Sequence, residues 1–182
     1  SAGCPSFFLR LKGCGFNCSW CDTAAVWKLG APVSLQNLTD SMLKQGVFDL
    51  FQRDGHFIIT GGDPLLQQPA LVALFNYWQG RNLIFNGKLD GLITEVETQG
   101  NTKPQLMLSR FVSHWNVSPK LSSSGIKVTK RICPDVLAWF NSIPNSTFKF
   151  PVQGREDLNE VLALLNKHTV KSSKGVLMPV CH

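Results

Sequence analysis

The sequence predicts an α/β fold: a partial (βα) barrel, or an open sheet, of about six mainly parallel strands. Short apolar runs bounded by glycine, proline or polar residues recur along the chain, as β-strands do. Between several of them lie segments in which apolar residues recur every three or four positions, which is typical of helices. Strands that alternate with helices are joined by crossovers and therefore run parallel.

Each predicted strand is a short apolar run that turn residues close. Residues 6–11, for example, end before a glycine turn at Gly13. In parallel α/β folds the functional residues lie at the carboxyl ends of the strands. Polar motifs follow four of the predicted strands, so we expect one shared site at that edge of the sheet. The predicted strands are 6–11, 56–60, 92–97, 111–117, 147–152 and 176–180.

Each predicted helix has apolar residues on one face. The segment 34–53 has this pattern with an interruption at Gly46, and Pro134 opens a further short helix. The segments 80–91 and 122–125 are rich in glycine, asparagine or serine and are predicted to be surface loops. The predicted helices are 34–53, 65–78, 134–142 and 155–167.

The composition is that of one globular domain, which we predict to span residues 1–182. Hydrophobic residues make up 43% of the 182 residues and charged residues only 16%, which excludes a disordered chain. We predict no transmembrane helix and no export signal, and therefore a cytoplasmic protein. The chain starts without a Met, and its last predicted strand stops close to its end, so we expect it to be incomplete at both termini.

The net charge of +6 suits an anionic substrate, an acidic protein partner or a nucleic acid. The basic residues are scattered, and only Lys127, Lys130 and Arg131 form a small group. We expect that group to be a solvated surface, and we predict no direct contact with nucleic acid.

Three of the six cysteines lie within eight residues, in the spacing C-x3-C-x2-C. These are Cys14, Cys18 and Cys21, whereas the other three cysteines are isolated. A disulfide framework would distribute its cysteines more evenly. Three sulfurs this close can converge on one inorganic centre, and Gly13 and Gly15 permit the tight backbone wrap that this requires. The pattern indicates a metal centre in a reducing compartment.

Besides a radical S-adenosylmethionine (SAM) cluster, two other metal centres use clustered cysteines. A structural zinc ion needs four closed ligands, and Cys4 is an awkward fourth. A ferredoxin cluster also needs a fourth thiolate and has a different spacing. Three thiolates around a [4Fe-4S] cluster leave one iron open, and in radical SAM enzymes the cofactor fills it. The spacing, with Trp20 before the last cysteine, resembles the signature of that superfamily.

A second motif, residues 60–64, reads Thr-Gly-Gly-Asp-Pro. An ordinary strand-to-helix turn explains it. Beside the cysteine segment it also resembles the Gly-Gly-Glu-Pro loop of the superfamily, which contacts the amino end of the cofactor. Asp63 is one methylene shorter than the glutamate it replaces, so we expect this loop to contact the cofactor through its backbone.

Further motifs resemble the 7-carboxy-7-deazaguanine synthase family over almost the whole chain. The most specific is the combination of Cys-Asp-Thr at residues 21–23 with Ser-Pro-Lys at residues 118–120. The cysteine motif alone is shared much more widely. The other matching segments are residues 8–14, 60–62, 97–100 and 149–152.

The resemblance implies a radical ring contraction of 6-carboxy-5,6,7,8-tetrahydropterin to 7-carboxy-7-deazaguanine, with loss of ammonia, in queuosine or deazapurine synthesis. It implies a [4Fe-4S] cluster, SAM and Mg²⁺ as cofactors. We also expect a homodimer. The positive net charge suits an acidic electron donor such as a flavodoxin.

The resemblance also implies roles for individual residues. Arg10 would bind the substrate carboxylate with its planar guanidinium, and Thr60 would contact the substrate. Thr23 would offer its hydroxyl to Mg²⁺, a cation that prefers oxygen ligands. The implied cofactor-binding residues are Trp20, Asp22, Gly62, Asp63, Ser118, Pro119 and Lys120.

Each of these roles has a structural alternative. Arg10 would otherwise be a surface residue at a strand end, Thr23 a helix cap, and residues 118–120 a strand-ending turn. Two other functions also stay open, a glycyl-radical activating enzyme and a zinc-stabilised RNA-binding module. The Gln-Gly-Glu segment and the His-containing tail of the family have no match here, so we expect part of the pocket to be missing.

Overall fold

The structure is a computed structural model that describes residues 3–83, 92–168 and 170–180. The described residues contain six strands: β1 (Ser6–Leu11), β2 (His56–Gly61), β3 (Ile93–Thr98), β4 (His114–Val117), β5 (Ser146–Val152) and β6 (Gly175–Pro179). They also contain eight helices: α1 (Ala24–Leu29), α2 (Leu35–Lys44), α3 (Val47–Phe51), α4 (Gln68–Gly80), α5 (Leu106–Ser109), α6 (Val128–Arg131), α7 (Pro134–Ser142) and α8 (Arg155–Lys167).

The six strands form one all-parallel sheet in the order β1-β2-β3-β4-β5-β6. Right-handed crossovers between strands in sequential order put the connecting helices on the same side of the sheet. This is the arrangement of a (βα) barrel, whereas a doubly wound sheet reverses its order. Within the described residues β6 does not pair with β1, so the barrel is open. The predicted partial (βα) barrel is confirmed.

The hydrophobic core lies between the helices and the outer face of the sheet. Phe57 and Ile59 of β2 are fully buried there, and the ring of Trp78 on α4 lies 5.4 Å from that of Phe57. The indole Nε1 of Trp78 donates to Thr39 Oγ1 on α2 at 2.9 Å. A large buried aromatic residue with its polar atom satisfied fixes α2 and α4 against the sheet.

The inner face of the sheet is polar near the carboxyl ends of its strands. Because side chains alternate along a strand, each core residue on the outer face has inward-pointing neighbours. The register pairs Arg10 of β1 with Thr60 of β2, and Glu97 of β3 with Asn116 of β4. These side chains, together with Lys149 of β5, line one cavity.

Gly46 divides the predicted helix 34–53 into α2 and α3, as the sequence indicates, with a φ of 67°. The predicted strand 111–117 is wrong at its start, because β4 begins only at His114. Phe111 lies in a turn and is buried by stacking on Phe75 at 4.7 Å, which accounts for the apolar run.

The predicted helix 65–78 begins with a 3-10 turn, Pro64–Gln67, and the α-helix starts at Gln68. The three short helices α1, α5 and α6 are absent from the sequence-based prediction. Of the predicted loop 80–91, residues 84–91 lie outside the described residues. No helix in the described part of the chain is both long and apolar enough to cross a membrane.

Candidate active site

A cavity of about 260 Å³ lies at the carboxyl ends of the strands. Its lining includes eleven of the thirteen site residues predicted from the sequence. Asp63 and Pro119 do not line it and are buried. The eleven are Arg10, Cys14, Cys18, Trp20, Cys21, Asp22, Thr23, Thr60, Gly62, Ser118 and Lys120. The motifs are therefore brought together at one edge of the sheet, as predicted.

The cysteine segment is held by close backbone packing against the Gly-Gly loop after β2. Gly62 N donates to Leu11 O at 3.0 Å, and Asp63 N donates to Gly13 O at 2.9 Å. A Cβ at position 62 would lie only 1.7 Å from Gly13 O, so no side chain fits there. Gly61 has a φ of 127°, which also favours glycine. The two glycines support the cysteine segment and do more than form a turn.

The three motif cysteines are free thiols at the cavity wall. The Cys14 thiol lies 3.7 Å from Gln99 Oε1, and Cys21 Sγ lies 3.8 Å from Thr23 Oγ1. Burial raises the pKa of the Cys14 and Cys18 thiols, and the positive charge of Lys120 offsets part of that effect. Metal ligation requires thiolates, so the position of Lys120 favours the state that binds metal.

Lys120 reaches the cysteines from the Ser-Pro-Lys segment after β4. Its Nζ donates to Ser118 Oγ at 2.9 Å and lies 5.6 Å from the centre of the Trp20 ring. Burial lowers the pKa of Lys120, whereas the nearby Cys18 and Cys14 raise it. A lysine without anions beside it would be costly to place here, which indicates that an anionic group belongs in the cavity.

The inner side of the cavity contains a hydrogen-bonded group that joins Thr60, a predicted site residue, to Glu97 and Lys149, which the sequence analysis gave no individual role. Glu97 Oε2 accepts from Thr60 Oγ1 at 2.7 Å, and Glu97 Oε1 pairs with Lys149 Nζ at 3.1 Å. Asn116 also lines the cavity. The position of these residues in the sequence could have indicated their role. Glu97, Asn116 and Lys149 are polar residues at inward-facing positions of strands that also contain buried apolar residues.

Thr23 and Asp22 offer two oxygen-bearing side chains beside the cysteines. Thr23 precedes α1, but its side chain makes no capping hydrogen bond, so the helix-cap alternative does not account for its hydroxyl. Asp22 is exposed at the cavity wall. Hydroxyl and carboxylate oxygens are ligands that suit Mg²⁺.

Asp63 does not line the cavity. It is fully buried, and its Oδ1 accepts from Leu65 N at 3.1 Å and from Thr98 Oγ1 at 3.0 Å. Burial raises the pKa of Asp63, against the lowering effect of those donors. A cofactor contact from this loop would therefore come from its backbone, which stays a prediction.

The serine-rich segment 122–125 is wrongly predicted as a plain surface loop. Its 3-10 turn, Ser122–Ser124, contains the fully buried Ser124 and contacts the cysteine segment. Ser19 N donates to Ser124 O at 3.1 Å, and Ser19 Oγ donates to Ser123 O at 3.0 Å. This turn is a second support for the cysteine segment, in addition to the Gly-Gly loop.

Arg131 is likewise wrongly predicted to be solvated with Lys127 and Lys130. Arg131 is buried, while the two lysines are exposed. Its guanidinium donates to Lys120 O at 2.9 Å and pairs with Glu160 of α8 at 2.7 Å. The other Glu160 oxygen accepts from Ser122 N at 2.8 Å. This ion pair fixes the backbone that carries Lys120 and the 3-10 turn.

Substitution of Glu160 should give a pH-dependent loss of stability. Burial alone raises the pKa of Glu160, but hydrogen bonds from Ser122 and the charge of Arg131 outweigh it, and the net pKa is lowered. The resulting stability is present above the unfolded value of about 4.3 and is lost as the pH falls through the folded pKa. Glu160→Gln should therefore lower the free energy of unfolding by about 1–2 kcal/mol near neutral pH.

The difference from wild type should shrink as the pH falls below about 4. Urea unfolding of both proteins across this pH range measures it. Glu156→Gln, at an exposed position in the first turn of α8, is the matched control. An equal difference at every pH would contradict the assignment.

The donor set fits an iron–sulfur cluster better than one zinc ion. Among the described residues, no three cysteine, histidine or carboxylate side chains are grouped to hold a single metal ion. A structural zinc ion needs four protein ligands, whereas three thiolates around a [4Fe-4S] cluster leave one iron open. Cys14, Cys18 and Cys21 therefore suit a cluster with one iron left without a protein ligand.

Comparisons with known proteins agree with this geometry. Residues 3–103 match the family described as "4Fe-4S single cluster domain". A 7-carboxy-7-deazaguanine synthase from Pyrobaculum aerophilum is 32% identical over 98% of this chain and 72% of the relative. The synthase of that name from Hyperthermus butylicus is 26% identical over 98% of the chain and 70% of the relative. The one from Escherichia coli K12 is 28% identical over 90% and 71%.

Proposed function

This chain belongs to the 7-carboxy-7-deazaguanine synthase family, and we propose that it catalyses the reaction of that family. It is a radical SAM enzyme with a [4Fe-4S] cluster. Its reaction is the ring contraction of 6-carboxy-5,6,7,8-tetrahydropterin to 7-carboxy-7-deazaguanine, with loss of ammonia. The observation that carries this proposal is the single cavity that joins the cysteine motif to the Ser-Pro-Lys segment and to Arg10.

Cys14, Cys18 and Cys21 would hold the cluster, with SAM on its open iron. When bound, these two groups supply the one-electron chemistry that begins the ring contraction. The chain contributes charge and shape around them. Lys120 balances the negative charge of the thiolates. Its cation–π contact with the Trp20 ring keeps the ammonium group beside the cysteines.

The substrate would lie against the inner face of the sheet. We propose that Arg10 binds the substrate carboxylate, because it lines the cavity at the end of β1 next to Thr60. Thr60 donates its only hydroxyl proton to Glu97, so its oxygen is left to accept from a ring N–H. The ion pair with Lys149 keeps Glu97 in the orientation that accepts this proton.

We propose that Mg²⁺ binds at Thr23 with Asp22 beside it. Two substitutions should separate this role from that of Arg10. Thr23→Ala removes an oxygen ligand, so turnover should require more Mg²⁺ while the cluster is retained. Arg10→Ala removes a charge-assisted contact worth about 2–3 kcal/mol, so substrate affinity should fall about a hundredfold at every Mg²⁺ level.

Turnover against substrate concentration at several Mg²⁺ levels tests both roles. Arg10→Lys is the matched control and should restore little, because a point charge cannot reproduce the planar fork. Wild-type Mg²⁺ dependence in Thr23→Ala would remove the metal role. Wild-type affinity in Arg10→Ala would remove the carboxylate role.

We further propose a homodimer in the cytoplasm, reduced by an acidic protein such as a flavodoxin. Support for the donor comes from exposed lysines near the cysteines: Lys28 lies 5.4 Å from the Trp27 ring, and Lys130 lies 5.9 Å from the Phe16 ring. Both rings line the cavity. Reduction by flavodoxin should slow as ionic strength rises, because salt screens the attraction. A rate that stays flat across a salt series would exclude this kind of donor.

The reaction itself is tested by anaerobic reconstitution with iron and sulfide. With SAM, a reductant and the carboxylated tetrahydropterin, the protein should form 7-carboxy-7-deazaguanine and 5′-deoxyadenosine. A parallel reaction without the pterin is the control. Product-free cleavage of SAM that requires a protein substrate would favour a glycyl-radical activating enzyme. Stoichiometric zinc in place of iron would favour the RNA-binding module.

A further inference from the structure

We infer that Gln99 donates an N–H···S hydrogen bond to the Cys14 thiolate once it binds iron, and thereby raises the reduction potential of the cluster. The inference rests on the proposed function, since it needs the cluster. Gln99 directly follows β3, is only 4% exposed and lines the cavity. Its amide is the side-chain partner of the first cluster cysteine.

The hydrogen bond seen without iron cannot persist with it. The Cys14 thiol donates its proton to Gln99 Oε1, with 3.7 Å between sulfur and oxygen. A cysteine that ligates a metal has lost this proton, so its sulfur only accepts hydrogen bonds. Two acceptors would then face each other. Rotating the carboxamide by half a turn puts Nε2 where Oε1 stood, at almost no change in shape.

The amide nitrogen is available for this contact. Gln99 Nε2 is buried and faces the Asp63 carboxyl group, but no hydrogen bond of normal geometry joins the two. An unsatisfied buried donor is costly, and the rotation gives it the Cys14 sulfur. A Cβ at position 15 would lie 3.3 Å from Nε2, so Gly15 leaves the amide its space.

The consequence lies in the electrochemistry of the cluster. Reduction adds one negative charge, and hydrogen bonds to the sulfurs stabilise the more negative state. Removing the donor should therefore move the reduction potential to more negative values. For Gln99→Leu we expect a shift of about tenfold in the reduction equilibrium, or about 59 mV for one electron. Gln99→Glu places an acceptor against the thiolate and should shift the potential further.

Redox titration monitored by electron paramagnetic resonance measures the shift in reconstituted protein, with no SAM or substrate present. Gln68→Leu is the matched control. Gln68 is also buried, and its side chain donates to Lys103 O at 3.2 Å and accepts from Gln105 N, away from the cysteines. This variant should lose comparable stability and keep the wild-type potential.

A second measurement uses wild-type protein alone. Among the described residues Gln99 is the only glutamine that lines the cavity. With ¹⁵N in the glutamine side chains, the reduced cluster should show a ¹⁵N hyperfine coupling. Its absence, or an unchanged potential in Gln99→Leu, would overturn the inference while leaving the cluster assignment intact. Failure of wild-type protein to assemble a cluster would instead overturn the proposed function.

Discussion

Cys14→Ala, Cys18→Ala and Cys21→Ala should each abolish cluster assembly. Each of these thiols would bind a different iron, so the loss of one leaves that iron without its protein ligand. The effect should be near-complete loss of bound iron and sulfide after anaerobic reconstitution. Iron analysis and the visible absorption of the cluster measure it.

Two other cysteines serve as controls. Cys133 lies before α7 and Cys4 is exposed, and neither lines the cavity. Cys133→Ala and Cys4→Ala should retain wild-type iron. A structural zinc site would need Cys4 as its fourth ligand. Loss of metal in Cys4→Ala would therefore favour the zinc site over the iron–sulfur cluster. Wild-type iron in any of the three motif variants would contradict the three-ligand assignment.

Gly62→Ala should also prevent cluster assembly, although it removes no ligand. The added Cβ would lie 1.7 Å from Gly13 O and 2.9 Å from Cys14 N. These are backbone atoms, so the overlap must be relieved by moving the segment that carries Cys14. Overpacking of this kind costs about 1–3 kcal/mol or more in stability. Because Cys14 is displaced, Gly62→Ala should lose bound iron in addition to losing thermal stability.

Gly80→Ala provides the matched control. Gly80 ends α4, and a Cβ there meets no atom within 4 Å. Alanine should be neutral or stabilise that helix by about 0.5–1 kcal/mol. Iron content and thermal unfolding of both variants measure the contrast. If Gly62→Ala binds iron like wild type, the support that we assign to the Gly-Gly loop is wrong.

Local patterns were sufficient for most of the fold. The apolar runs at β1 and β2 and the interruption at Gly46 are visible in the sequence because strand and helix periods are properties of neighbouring residues. Phe111 was misassigned for the same reason. An apolar residue in a turn that stacks on Phe75 has the same local pattern as the start of a strand.

In the candidate site, too, the features carried by local motifs were predictable and those that depend on tertiary packing were not. The cysteine spacing and the Ser-Pro-Lys segment are contiguous motifs, and the structure brings both to one cavity. The burial of Arg131 was not predictable, since its partner Glu160 lies on another helix and only packing joins them. The pair of Glu97 and Lys149 is 52 residues apart and likewise depends on the sheet register.

The contact between Ser19 and the 3-10 turn has a consequence for modularity. The region that matches the cluster-domain family ends at residue 103, yet Ser19 donates to carbonyl groups at residues 123 and 124. Lys120, the cation beside the thiols, also lies after that boundary. Residues 3–103, which match the cluster-domain family, therefore do not form the cluster site on their own. An exchange of the first half between homologous chains would have to carry the second half's serine turn with it.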